Sequence, residues 1–231
     1  QKNDAIIKIE ELIKDYPLEP LLFNISGSFH HSDGQLNTAI IRFKKALKLN
    51  SNYPEAHYNL GVTLRDLGHT KEAITSYKNA LSKKNEYPDA HYNLGNAFFS
   101  LKKFDAAIKH FESAVFFNPK HYQAYNNLGL IYKQLGEDLE AGKNFDKALV
   151  IKPDYAEATN ERGVIFQNNG DLENAIKYFQ KSLEINPKLA DAHNNIGLAE
   201  KELNKTEKAI NSFEKALSVD PNFVNAYYNL S

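Results

Sequence analysis

Asn59, Asn93, Asn127, Asn195 and Asn229 fall on one 34-residue grid, interrupted only by Ile25 at its start and Glu161 in its middle. Each carboxamide carries both a donor and an acceptor, so such a series can bind the backbone of an extended peptide whatever its side chains. Duplication of an ancestral unit would leave the same series behind with its amides pointing at water. His57, His91 and His193 recur on the same grid and raise the question of a metal. Neighbouring helices pack about 8–10 Å apart, too far for equivalent side chains to converge on an ion with bonds near ~2 Å. These histidines are read as packing groups, and no metal or other cofactor is expected. His30 and His31, being adjacent, point to different faces of a helix.

Other chemistry is excluded more simply. The chain has no cysteine, hence no thiolate nucleophile, disulfide or thiolate metal site. It has no GxxxxGK phosphate loop, GxSxG elbow or HExxH pair, so binding is expected rather than catalysis. Lys plus Arg number 28 against 29 Asp plus Glu, with no basic stripe for a phosphate backbone, so no nucleic acid partner is expected. No apolar run approaches the ~18 residues of a membrane span, and no signal peptide pattern opens the chain. A soluble protein without a membrane partner is expected, cytoplasmic in setting, although a helical array needs no disulfides in any compartment. Methionine is absent even at position 1, and the chain is expected to be part of a longer one.

The elements that position the asparagines follow from the same period. Gly61, Gly95, Gly129, Gly163 and Gly197 stand 34 residues apart, and Ala73, Ala107, Ala141, Ala175 and Ala209 follow them at the same spacing. A fixed period in this range marks stacked supersecondary units. Six complete units run 20–53, 54–87, 88–121, 122–155, 156–189 and 190–223; residues 1–19 match the second half of a preceding unit and 224–231 the start of a following one. Apolar residues recur at helical spacing in two stretches per unit, as in Leu60, Leu64 and Leu67, then Ala73, Ile74, Tyr77, Ala80 and Leu81. Between the two helices stands Gly34, Gly68, Gly136 or Gly170, with Lys102 and Asn204 in that place elsewhere, where a left-handed residue would end the first helix. Pro119, Pro153, Pro187 and Pro221 stop the second helix, and Pro54 and Pro88 suit the first turn of the next. Glycine inside a helix costs about 1 kcal/mol against alanine, so the repeated glycines require close approach of two helices. Phe43, Tyr77, Phe111, Phe145, Phe179 and Phe213 are expected to fill the gap between neighbouring units. Gly142, where other units have isoleucine, suggests a locally weaker helix that flexes.

With a small residue at position 8 of each unit, alanine at 20, an aromatic at 24, alanine at 27 and proline at 32, as in Gly95, Ala107, Phe111, Ala114 and Pro119, the whole chain resembles the tetratricopeptide repeat family. The resemblance implies an all-α, right-handed superhelical solenoid of helix-turn-helix units, with first helices lining an inner groove and second helices outside. The family's tryptophan at position 4 is replaced by His57, His91, Tyr125, Thr159 and His193.

In that family position 6 faces the groove, which would make the asparagine series an inward column. It is similar to the asparagine ladder in the repeat region of O-linked N-acetylglucosamine transferases, which holds protein substrates extended. The resemblance implies an extended segment of a partner protein as ligand. Candidate contacts beyond the column are Tyr58, Tyr92, Asn126, Asn160, Asn96, Lys133 and Glu161. The tyrosines could equally pack on an adjacent helix. Asn160, Glu161 and Arg162 stand where the preceding unit reads Asn126, Asn127 and Leu128. Glu161 could select a basic peptide residue, or form a surface ion pair beside an Arg162 stem packed along its helix, the reading preferred here. Two rivals remain: the recruiting part of a larger protein-modifying enzyme, such as a glycosyltransferase, and a scaffold that assembles with its own copies through the repeat ends.

Overall fold

Every regular element among the described residues, 2–231 of the computed structural model, is an α-helix. Residues up to Pro119 form one body containing α1 (Lys2–Asp15), α2 (Pro20–Ser32), α3 (Leu36–Leu49), α4 (Pro54–Asp66), α5 (Thr70–Lys83), α6 (Pro88–Ser100) and α7 (Phe104–Phe117). A second body, from Lys120, contains α8 (Tyr122–Gln134), α9 (Asp138–Ile151), α10 (Ala156–Asn168), α11 (Leu172–Ile185), α12 (Ala190–Glu202), α13 (Thr206–Val219) and α14 (Val224–Leu230). Within each body the helices work in antiparallel pairs. Within a body, first helices touch one another directly, as α2 does α4 and α10 does α12, and a second helix reaches the next pair through its first helix, as α3 does α4 and α11 does α12.

The local sequence explains each boundary. Pro20, Pro54 and Pro88 occupy the opening turns of α2, α4 and α6, where a missing N–H leaves nothing unpaired. Each complete first helix ends in a left-handed residue: Gly34, Gly68, Gly136 and Gly170 have φ between 76° and 80°, and Lys102 and Asn204 take the same turn at 55° and 58°. The following N–H then caps the helix end, as in Gln35 to the His30 carbonyl at 2.9 Å and Lys103 to the Phe98 carbonyl at 2.9 Å. The two side chains in this conformation cost roughly 1 kcal/mol each, which packing of the pair offsets.

The position-8 glycines are explained by their own pair. A Cβ on Gly129 would stand 2.6 Å from Cε1 of Phe145, and Gly27, Gly61, Gly95, Gly163 and Gly197 meet Phe43, Tyr77, Phe111, Phe179 and Phe213 at 2.5–2.7 Å. Each ring lies on a bare helix backbone and is fully buried. This corrects the expectation that these aromatics fill the gap between units: the ring closes its own helix pair first. Phe43 and Tyr77 also join Leu60 and Leu94 in one buried cluster, which continues the core from pair to pair. Tyr77 departs from the other five in carrying a hydroxyl, which is buried without a hydrogen-bond partner. Burial also holds its phenol well above the usual range. Tyr77→Phe is therefore expected to stabilise the first body by about 1 kcal/mol, read from its urea midpoint.

Gly142 is buried within an uninterrupted α9. Its missing side chain makes room for the Arg162 guanidinium, whose Nη1 lies 3.3 Å from where a Cβ would stand. Arg162 donates from Nε to Asp146 Oδ1 at 2.8 Å and lies over the Phe166 ring at 4.3 Å. No helix among the described residues is long and apolar enough to cross a membrane.

Candidate functional site

The asparagine series lies on the first-helix face, and Asn59, Asn93, Asn195 and Asn229 are each tied to the helix before them. Asn59 Nδ2 donates to Asn24 Oδ1 at 3.0 Å, Asn195 to Asn160 Oδ1 at 3.2 Å and Asn229 to Asn194 Oδ1 at 2.8 Å. Asn93 makes the equivalent bond to the Tyr58 hydroxyl at 3.0 Å. The rule is one rung per step, from position 6 to position 5 of the preceding unit. Position 5 is the buried end: Asn126 and Asn160 are 5% and 4% exposed. Those two were candidates for partner contact and are buried; Asn160 accepts the rung from Asn195, whereas Asn126 accepts none. Tyr58 likewise packs on Tyr87, ring centroids 4.9 Å apart, and Tyr92 packs on Phe111 at 5.8 Å.

A second line of contacts starts from position 12. Arg65 Nη1 donates to Asn93 Oδ1 at 2.9 Å, Lys133 pairs with Glu161, Gln167 donates to Glu202 Oε1 at 2.5 Å, and His31 Nε2 bonds to Asp66 Oδ2 at 2.9 Å. Asn93 is thereby removed from the available set: it is 7% exposed and its oxygen is held by a guanidinium. Asn59, Asn195 and Asn229 remain partly exposed with one N–H and the oxygen beyond the rung. Asn127 and Asn96 are also partly exposed on this face, and Asn127 accepts from Asn126 Nδ2 at 3.4 Å. Asparagines spaced 35 apart, Asn24 and Asn59, Asn160 and Asn195, Asn194 and Asn229, are the sequence signal for the rungs; the role of position 12 has none, because its residue type changes from unit to unit.

Glu161 breaks the series with a measurable consequence. A carboxylate offers no donor, and Asn126 Oδ1, which the rule would pair with position 6 of the next unit, is buried without a partner. Glu161→Asn restores the donor at the expense of a partly exposed ion pair, which contributes at most about 1 kcal/mol. The substitution is expected to raise the stability of the second body by about 1 kcal/mol, measured by urea unfolding.

The position-4 residues show why histidine replaces tryptophan. His57 and His91 bond through Nε2 to the Ser51 and Asn85 carbonyls at 3.2 and 3.0 Å, and Tyr227 donates to the Pro221 carbonyl at 3.1 Å. Each spans the turn between pairs with a ring N–H or O–H. In His91 this leaves Nδ1 to accept from Nδ1 of His110, 3.1 Å away, a pairing that suits two neutral rings. Desolvation, then the proximity of His91 and Lys78, push His110 down to about 4, and desolvation also lowers His91. An unfolded chain protonates His110 near its ordinary 6.5 and the folded chain only near 4. Stability is therefore complete above 6.5 and declines as pH falls toward 4. The urea midpoint of the first body should follow that curve, and His110→Phe should flatten it. Among the described residues no three His, Asp or Glu side chains gather as metal ligands.

Comparison with known proteins bears on the whole chain. Family models described as TPR repeat match residues 27–68 and 63–102, and models described as tetratricopeptide repeat match 88–121, 122–155 and 154–222. No curated protein matches the sequence. Among solved structures, MamA protein is 32% identical with a TM-score of 0.67, the match covering 74% of this chain and 93% of that one. YrrB, described as a TPR protein with an unusual peptide-binding site, is 24% identical with a TM-score of 0.67, over 80% of this chain and 96% of its own. PilF of Pseudomonas aeruginosa is 18% identical with a TM-score of 0.78, over 90% of this chain and 95% of its own. The last two likenesses establish the helical-repeat solenoid fold.

Proposed function

Since the chain belongs to the tetratricopeptide repeat family, we propose that its first-helix face holds an extended segment of a partner protein, with Asn59, Asn195 and Asn229 engaging that segment's backbone. The observation that carries this reading is the rung itself. One N–H of each amide is fixed to the preceding helix, which sets the plane of the carboxamide and directs the other N–H and the oxygen away from the rung. A peptide unit presents the complementary acceptor and donor. Because the amide is already oriented, little rotamer entropy remains to be lost on binding. The same fold is described as carrying a peptide-binding site in YrrB.

Magnitude limits what the backbone contacts can do alone. Net hydrogen bonds contribute about 0.5–1.5 kcal/mol each, so three amides with two bonds apiece supply roughly 5 kcal/mol, in the sub-millimolar range. Useful affinity then requires partner side chains as well, and selectivity arises from them.

The test is a screen of extended peptides against the native chain and against Asn59→Ala/Asn195→Ala/Asn229→Ala. Circular dichroism establishes that the variant keeps its helices. Loss of at least tenfold in affinity by the folded variant is expected. Equal binding by both would assign the asparagines to inter-helix support alone.

A further inference from the structure

On the reading that the first-helix face holds a partner segment, we propose that the cavity between α2 and α4 receives a lysine side chain of that segment, whose ammonium donates to Asn59 Oδ1. The cavity measures about 190 Å³ and is lined by Ser28, His31, Phe43, Asn59, Val62 and Thr63. All six belong to the first body, and Asn59 is one of the three amides available beyond its rung.

Hydrogen-bond accounting defines what fits. The Ser28 hydroxyl donates to the Asn24 carbonyl at 3.0 Å, and the Thr63 hydroxyl donates to the Asn59 carbonyl at 2.8 Å. His31 turns Nε2 toward Asp66 Oδ2 at 2.9 Å. Asn59 commits an N–H to Asn24 and keeps its oxygen. The hydroxyl hydrogens are thus directed into the protein, which leaves the Ser28 and Thr63 hydroxyl oxygens and Asn59 Oδ1 as acceptors, beside one Asn59 N–H, around a cavity walled by the Phe43 ring and Val62. A ligand for this space needs donors at its tip and an apolar stem. Lysine supplies three donors on a compact head with four methylenes behind it, whereas the planar fork of arginine matches a carboxylate better than a ring of separate acceptors.

The neighbouring interspaces of the chain support the same identity. Between α4 and α6, Arg65 crosses from position 12 to donate to Asn93 Oδ1 at 2.9 Å. Between α8 and α10, Lys133 crosses from position 12 to Glu161. In both places a cation of the chain itself occupies the space beside position 6. Between α2 and α4 position 12 is His31, which crosses to Asp66 at the end of α4 rather than to Asn59. Asn59 Oδ1 is therefore the equivalent acceptor without its cation, and the cavity is the space that the cation would fill.

The experiment titrates the chain with three short extended peptides that differ only at the centre, where they carry lysine, norleucine or glutamate, followed by amide shifts in a ¹⁵N spectrum. Norleucine keeps most of the stem and removes the donors. The lysine peptide should bind about tenfold more tightly than the norleucine peptide, with shifts at Ser28, Asn59 and Thr63, and the glutamate peptide more weakly than either. His31→Lys gives the interspace its own cation, as Lys133 does elsewhere. With helicity unchanged, this variant should bind all three peptides alike, at the norleucine level. Equal binding of the three peptides by the native chain would overturn the lysine subsite while leaving the peptide-binding face intact. Binding of none would overturn both.

Discussion

Gly129→Val should lower the stability of the second body by about 3 kcal/mol, and even Gly129→Ala should destabilise it. The sign of the alanine result is informative. Helix propensity alone predicts that alanine in place of glycine stabilises α8 by about 1 kcal/mol. The structure opposes this, because an added Cβ would stand 2.6 Å from Cε1 and 2.8 Å from Cδ1 of Phe145. Phe145 is itself fully buried, so its ring cannot withdraw without separating α8 from α9. Phe145→Leu supplies a smaller partner and should recover part of the loss in the double variant, a coupling that independent sites would not show. Urea unfolding followed by circular dichroism gives the size of the effect, and hydrogen exchange should place it in α8 and α9. Stabilisation by Gly129→Ala would show that the glycine–aromatic contact does not set the spacing of the pair.

The second large effect concerns Gly142. Isoleucine fills the equivalent place as Ile40, Ile74, Ile108, Ile176 and Ile210, so a reading by consensus makes Gly142→Ile a stabilising change. We expect a loss of about 1–3 kcal/mol instead, since the Arg162 guanidinium already occupies the space. Arg162→Leu restores the residue type found as Leu60, Leu94 and Leu128 and vacates that space. The double variant Gly142→Ile/Arg162→Leu should then match or exceed the native stability, with a coupling of about 2 kcal/mol or more between the two changes. Additive losses would contradict the exchange of isoleucine for guanidinium.

These two cases show what the sequence makes legible. A spacing of 34 residues exposes the helix pairs, the left-handed turn and even the substitution of Lys102 and Asn204 at that turn, because each of those is a local matter of backbone conformation. Periodicity does not say which neighbour a side chain meets. Phe145 was therefore expected between units, although it lies on Gly129 of its own pair, and Gly142 was read as weakness although it is matched to Arg162 in the following helix. The candidate site divides in the same way. Asn59 and Asn93 occupy the same register position, yet Asn59 keeps a free oxygen and Asn93 does not. The difference lies in position 12 of the preceding helix, His31 in one case and Arg65 in the other, and a search for repeated residues passes over a position whose residue varies.

The claim that the first-helix face binds an extended segment is tested most directly on the amides themselves. Selective ¹⁵N labelling of asparagine side chains reports each carboxamide separately as extended peptides are added. The account predicts shifts at Asn59, Asn195 and Asn229, with smaller changes at the buried Asn93 and Asn160. Shifts confined to the second helices, with the three exposed amides unmoved by a peptide that demonstrably binds, would contradict it.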